Sequence, residues 1–325
     1  MTVCIATLAA QEHAICLVSD SKAAFGAFSA DGAVRKTAPL IYHYTVLFAG
    51  NDAAHAGSVI NRAKRRLVVD GQPPVTSADD IAQCIFEECQ AERDKVAEAE
   101  ILKPHNFNLE TFRDKGSVLC TDAVFFNIHT DLQEKTLSLD FVIAGFDSNN
   151  QGHIRFTNCT TPPQDYDSIG FWAIGTGAQA ALASLSHAVE HLGLSRWDDP
   201  EVVLYHTLAA KFMAESARDV GKETDAHIVI AHPSGEVGLR QINPLGGFDY
   251  VRKIWEKEGA PKRPRGIKER MDDVLINTMK EALSIEKLEK IARYSKPARN
   301  FLRVRKKNSN VSPKQLVAET LEGQQ

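Results

Sequence analysis

Apolar runs of strand length and amphipathic runs of helix length come in blocks along this chain, and that order constrains the fold more than any single residue. Residues 2–8 and 14–19 are apolar runs joined by the polar Gln11-Glu12-His13, which predicts a hairpin of a buried sheet. Ala23-Ala24-Phe25-Gly26-Ala27 reads as a small-residue loop and Asp31-Gly32 as a turn. Residues 34–37 and 41–49 predict a second hairpin, turned around Pro39. Gly50-Asn51-Asp52 stops that strand and opens a helix, with Asn51 or Asp52 as N-cap. Helices are predicted over 53–69 and 77–98, the second capped by Ser77 with Ile81, Ile85 and Cys89 at helical spacing. Strands return at 137–146, 153–156 and 169–174. Gly175-Thr176-Gly177 then breaks into an Ala-rich helix over 178–192, and a helix over 200–220 carries Val203, Leu204, Leu208, Phe212 and Ala217. Strands over 227–231 and 238–242, joined by Pro233-Ser234-Gly235, close the series. Blocks of helices after blocks of strands predict an α+β fold with helical layers over sheets, not alternating βαβ units.

Two stretches stand outside this pattern. Residues 101–135, with the short apolar run Ala123-Val124-Phe125-Phe126, read as an insertion. After Asn243 the chain changes character. Pro261-Lys262-Arg263-Pro264-Arg265-Gly266 reads as a linker, and Ile267, Met271, Leu275, Met279 and Leu283 form a one-sided helical stripe. A shorter helix is predicted over 285–294, before the basic run Arg303-Val304-Arg305-Lys306-Lys307. The expected organisation is a domain over 1–242 and a basic helical C-terminal extension over 243–325. Charge follows the same division. Of the chain's 38 Lys and Arg, 19 fall in residues 251–325, with only 10 of its 42 Asp and Glu. An acidic body with a basic appendage results.

No apolar run approaches the ~20 residues that span a bilayer, and the N-terminus lacks the basic-then-apolar plan of a signal peptide. The expectation is a cytoplasmic protein with no membrane contact. The six cysteines (Cys4, Cys16, Cys84, Cys89, Cys120, Cys159) show no C-x-x-C spacing, and His13, His43, His153 and His227 stand at no ligand spacing. Reduced thiols, no metal site and no organic cofactor are expected; neither a P-loop nor G-x-G-x-x-G occurs.

Chemistry enters at the second residue. Removal of Met1 leaves Thr2 with a free α-amine beside its hydroxyl, a nucleophile carrying its own base. Ser19-Asp20-Ser21 ends the second run, Arg35-Lys36 opens the third, and Phe48-Ala49-Gly50 ends the fourth. With these pieces in order, the chain resembles a proteasome β-type subunit of the N-terminal-nucleophile hydrolases. Further matching pieces are Val142-Ile143-Ala144-Gly145-Phe146-Asp147, Ala173-Ile174-Gly175-Thr176-Gly177 and Ala217-Arg218-Asp219. The resemblance covers residues 2–242, and the early hairpin and Met-Thr start are most similar to bacterial proteasome-like proteins of the Anbu type.

The resemblance implies a four-layer αββα sandwich and a threonine-type hydrolase of peptide or amide bonds. It implies Thr2 as nucleophile, Lys36 beside it, Asp20 pairing with Lys36, and the Gly50 N–H as oxyanion donor. Thr176 and Asp219 would support the terminal amine, and Val34, Phe48 and Asp52 would wall a shallow pocket for small side chains. It also implies a homo-oligomer, in a ring or a helical stack, and specifies no unfoldase partner. The chain departs from the family after Asp219, where Val220-Gly221-Lys222 replaces the usual hydroxyl residue, and Thr176 replaces a serine.

Taken singly, each residue has a plainer role: Asp20 as a turn residue, Lys36 as a solvated charge, Gly50 as a strand end, Thr176 as a helix cap, and Arg218–Asp219 as a surface pair. Two other functions stay open at this level. One is a catalytically silent scaffold of the same fold. The other is a nucleic-acid-associated protein using the basic tail, against which stand the tail's ten acids and its lack of interleaved aromatics.

Overall fold

Strand β1 (Cys4–Ala9) is buried along its whole length, and so is its hairpin partner β2 (Ala14–Asp20). Both are apolar at successive positions because both faces of their sheet are covered. The computed structural model describes residues 2–25, 28–30, 34–41, 43–68, 77–217, 220–231, 237–242, 248–258 and 271. In chain order there follow β3 (Ala23–Phe25), β4 (Phe28–Ala30), β5 (Thr37–Ile41), β6 (Tyr44–Gly50), α1 (Ala53–Leu67), α2 (Ala78–Ala97), α3 (Leu109–Leu119) and α4 (Asp122–Glu134). The second half holds β7 (Leu139–Phe146), β8 (Gly152–Asn158), β9 (Gln164–Asp165), β10 (Phe171–Ile174), α5 (Ala178–Leu192), α6 (Pro200–Ala214), β11 (Thr224–Ala231), β12 (Val237–Ile242) and α7 (Asp249–Glu258). The fold is mixed α+β, with two five-stranded antiparallel sheets ordered β10-β1-β2-β11-β12 and β5-β6-β7-β8-β9; β3 and β4 form a separate small hairpin.

Alternation along the strands sorts the core. Cys4, Ala6, Leu8, Ile15 and Leu17 of the first sheet meet Leu47, Ala49, Val142, Ala144 and Phe146 of the second. The opposite face of the first sheet, with Ile5, Cys16 and Val18, packs under Leu185 of α5 and Leu204 and Leu208 of α6. Val46, Phe141 and Ile143 of the second sheet pack instead under Val59 of α1 and Ile81 and Ile85 of α2.

The caps of the first helices match the sequence reading. Asp52 accepts from Ala54 N at 2.8 Å and His55 N at 3.3 Å, and Ser77 accepts from Asp80 N at 3.3 Å. The second hairpin does not turn at Pro39. Pro39 lies inside β5 opposite Thr45, next to a register shift, and the turn follows Ile41. Proline is tolerated because β5 is an edge strand, where one side of the ladder needs no donor.

The helix expected over 200–220 ends at Ala214. Glu215, Ser216 and Ala217 then donate to Phe212, Met213 and Ala214 in three-residue steps that tighten and stop it. The turn between β1 and β2 is also unusual. Ala10, Gln11 and Glu12 all lie in the left-handed region, at φ 50°, 58° and 66°. Bonds from Ala10 N to Asp198 O (2.8 Å) and Gln11 N to Arg196 O (3.1 Å), with an Arg196–Glu12 ion pair at 2.8 Å, over-determine it.

Residues 101–135 form α3 and α4, following a π-helical turn that prolongs α2, around a small core of Leu102, Phe112 and Ile128. Of the C-terminal extension, α7 lays Val251 and Ile254 on the core under α5 and α6, where Met271 is also buried. The rest of the predicted stripe (Ile267, Leu275, Met279, Leu283) and the basic run 303–307 lie outside the described residues. Among the described residues no helix is long and apolar enough to cross a membrane.

Leu17 is fully buried between the sheets. Leu17→Ala is expected to cost ~2–5 kcal/mol in urea unfolding, and a loss below ~1 kcal/mol would show that this face is not a packed core.

Candidate active site

The chain leading into β1 is held from three sides. Thr2 O accepts from Gly177 N at 3.1 Å, and Val3 O accepts from Asp20 N at 3.2 Å. Gly175, at φ 91°, lies so close that a Cβ there would stand 2.3 Å from Thr2 O. Only glycine allows both that backbone angle and that approach. A Cβ on Gly177 would likewise press on Ala214 and Val220 at 2.9 Å. The Gly-Thr-Gly turn before α5 is thus a seat for the first residues of the chain.

Thr2 is buried, and its hydroxyl lies in a triangle. Oγ1 donates to Asp20 Oδ1 and accepts from Lys36 Nζ in two very close hydrogen bonds. Lys36 Nζ also donates to Asp20 Oδ1 at 2.9 Å. Asp20 stands at the end of β2, and Lys36 just before β5, where its carbonyl accepts from Phe48 N of β6 at 3.0 Å. The register of the two sheets therefore brings the three together from residues 18 and 34 positions apart.

A buried carboxylate needs donors, and Asp20 has them. Besides Thr2 and Lys36, Val3 N donates to Oδ1 at 2.9 Å, and Gly221 N and Lys22 N donate to Oδ2 at 2.9 and 3.3 Å. The ammonium in turn is fixed within reach of a hydroxyl oxygen, where positive charge favours an alkoxide.

Cys4 lies next to this group and donates its thiol to Phe48 O at 3.3 Å. Burial pushes that thiol up to about 12, against the opposing effect of Lys36, so Cys4 stays protonated near neutral pH and does not compete as nucleophile.

The other expected residues are placed less directly. Gly50 ends β6 opposite Leu139, and a Cβ there would stand 2.2 Å from Ser138 O. Strand packing alone therefore requires glycine at this position. Thr176 is exposed, and no hydrogen bond among the described residues joins its side chain to Thr2, Asp20 or Lys36. Asp219 lies outside the described residues. Val34 and Phe48 are half-buried, and Phe48 leans its ring on the core beneath α1 and α2. Asp52 is engaged as the α1 cap. Among the described residues, no cluster of His, Cys, Asp and Glu could hold a metal ion.

Sequence reasoning missed Gly221, whose N–H completes the Asp20 carboxylate, and Lys211 of α6, which holds the Gly221 carbonyl at 2.9 Å. The signal for Lys211 was present: it is a lone lysine in a helix in which every residue but Met213 is buried. No protein-family profile matches the chain, and no curated protein sequence matches it either.

Asp20→Asn leaves Lys36 charged and without its counter-ion in a buried site. A loss of ~3–5 kcal/mol is expected in denaturant unfolding, and Asp20→Asn with Lys36→Met is expected to be less damaging than the sum of the two single changes. Strict additivity would mean that the pair is not coupled.

Proposed function

We propose that this chain is an N-terminal-nucleophile hydrolase of the proteasome β-subunit type, a four-layer αββα sandwich that cleaves peptide or amide bonds with Thr2. The observation that carries this reading is the buried triangle of Thr2 Oγ1, Lys36 Nζ and Asp20 Oδ1 at the start of β1. A threonine in a strand lead-in has no structural need of a buried ammonium and carboxylate. The cost of desolvating both is understandable if the hydroxyl is to become an alkoxide.

In this reading the chain is active once whatever precedes Thr2 is removed. The freed α-amine, with a pKa near ~7.7–8.0, can accept a proton at physiological pH. It takes the hydroxyl proton as Oγ1 bonds to the substrate carbonyl carbon, and the carbonyl π pair moves onto oxygen. The Gly50 N–H would receive that oxyanion, while Lys36 offsets the charge developing on Oγ1 and Asp20 fixes Lys36. Collapse breaks the C–N bond, and the leaving amine takes the proton from the α-ammonium. Water, deprotonated by the same amine, then cleaves the ester and restores the hydroxyl.

Thr176 and Asp219 are proposed to steady the amine. Val34, Phe48 and Asp52 are proposed to wall the pocket, and the half-buried Phe48 ring favours small side chains. We also infer a homo-oligomer, supported by Val118, Leu119 and Phe126 exposed on the α3–α4 insertion, and a cytoplasmic site of action, supported by six unpaired thiols.

A second reading, a catalytically silent scaffold, is favoured by two observations. The apolar Val220 and the glycine Gly221 stand where the family has a hydroxyl nearby, and Thr176 is exposed.

The test is the mature N-terminus and its reactivity. Intact-mass analysis is expected to find chains beginning at Thr2, and a peptide epoxyketone, which forms a ring with hydroxyl and amine together, is expected to add once per chain. Thr2→Ala should abolish the adduct with the fold retained, and Lys36→Ala should slow it by ~10²-fold or more. Full hydrolytic activity on chains that retain Met1, or an adduct that survives Thr2→Ala, would overturn the mechanism. A chain that begins at Thr2 and never reacts would favour the scaffold.

A further inference from the structure

The Lys211 ammonium is wholly buried and meets three acceptors: Glu215 Oε1 at 2.5 Å, Gly221 O at 2.9 Å and Lys222 O at 2.8 Å. Three protons facing three acceptors is a complete set for a charged lysine. Burial pulls its pKa below the ordinary lysine range, and Glu215 opposes that shift.

Glu215 is itself gripped from α7. Arg252 Nη1 and Nη2 approach its two oxygens at 2.6 and 2.7 Å, Nη2 also reaches Lys222 O at 3.2 Å, and the guanidinium lies 4.2 Å over the Phe212 ring. Two cations from two helices thus close on one carboxylate and on the carbonyls of residues 221 and 222. The N–H of Gly221, on the residue that carries the first of those carbonyls, donates to Asp20 Oδ2 at 2.9 Å.

A buried ion network rarely adds stability over a well-packed apolar one of the same volume. What this one does is local: it fixes the segment that supplies Asp20 with its shorter Oδ2 donor. Without it the two carbonyls lose these donors, the segment relaxes, and among the described residues Oδ2 keeps only Lys22 N at 3.3 Å. The Asp20 carboxylate, whose Oδ1 orients Thr2 and Lys36, would then be held more weakly at Oδ2.

We propose that Lys211, Glu215 and Arg252 are positioning residues of the Thr2 site, and that α7 of the C-terminal extension is thereby a working part of it. The consequence for reactivity rests on the terminal-threonine reading above, whereas the clamp on Gly221 does not. None of the three touches Thr2; they act through the Gly221 amide on Asp20.

The experiment uses the full-length protein and two readouts. The first is amide hydrogen exchange resolved at Gly221, with Ile5 and Val18 in the sheet as references. The second is epoxyketone labelling analysed as a maximal rate and a half-saturating concentration. Arg252→Ala is expected to speed Gly221 exchange roughly tenfold or more with the reference amides unchanged. It is expected to lower the maximal labelling rate by about tenfold, with half-saturation within about twofold. Arg252→Lys should restore most of both, and Lys211→Met should exceed Arg252→Ala.

Unchanged Gly221 exchange in folded Arg252→Ala overturns the clamp, as does exchange that rises equally at Ile5 and Val18. Accelerated exchange at Gly221 with an unchanged labelling rate overturns its role in positioning the site. If the unsubstituted protein is never labelled, the terminal-threonine reading fails. Selective acceleration at Gly221 then still supports the clamp, and its absence overturns it.

Discussion

The carboxylate of Asp20 is fully buried, so its charge depends on the donors the protein brings to it. Among the described residues five donors reach it, from the Thr2 hydroxyl, the Lys36 ammonium and the N–H groups of Val3, Lys22 and Gly221. These come from the lead-in to β1, the end of β2, the approach to β5 and the approach to β11. A charge that costs several kcal/mol to bury is thereby converted into a device for locating four chain segments against one another. The candidate site is where those segments meet, which is why Thr2 is fixed although it precedes the first strand.

Close approach does the rest of the positioning. Gly175 and Gly177 leave no room for a Cβ against Thr2, Val3, Ala214 and Val220, so the turn before α5 forms the floor on which the chain start rests. Gly50 is constrained in the same way by Ser138 and Leu139. Its glycine identity is therefore accounted for by strand packing as well as by the oxyanion role proposed for it. A glycine in a motif can answer to two demands at once, and its presence does not tell them apart.

Much of the fold was legible because local periodicity reports which faces are buried. The ranges of α1, α2 and α5, the Asp52 and Ser77 caps, and the pairing of β1 with β2 all follow from spacing and capping chemistry. The misreadings arose where tertiary context overrides a local signal. Pro39 reads as a turn residue, but an edge strand accommodates it. The helical pattern over 200–220 continues past Ala214 to Ala217, but the last turn tightens and the helix stops where Glu215 is drawn to Lys211 and Arg252. Residues 101–135 are harder to read because their elements share only a small core, Leu102 with Phe112 of α3 and Ile128 of α4.

By itself the sequence determined the order of strands and helices, the acidic body with its basic extension, and the three residue types that a threonine-centred site would use, at Thr2, Asp20 and Lys36. Only the tertiary structure decided that these three touch, that the Gly221 N–H completes the carboxylate, and that a lysine on α6 and an arginine on α7 hold that segment in place. The physical reason is range. Periodicity and capping act over a few residues and are written in adjacent letters. The partner of Asp20 at Gly221 lies 201 residues away, and no local pattern encodes a contact that exists only after both sheets have closed over their shared core.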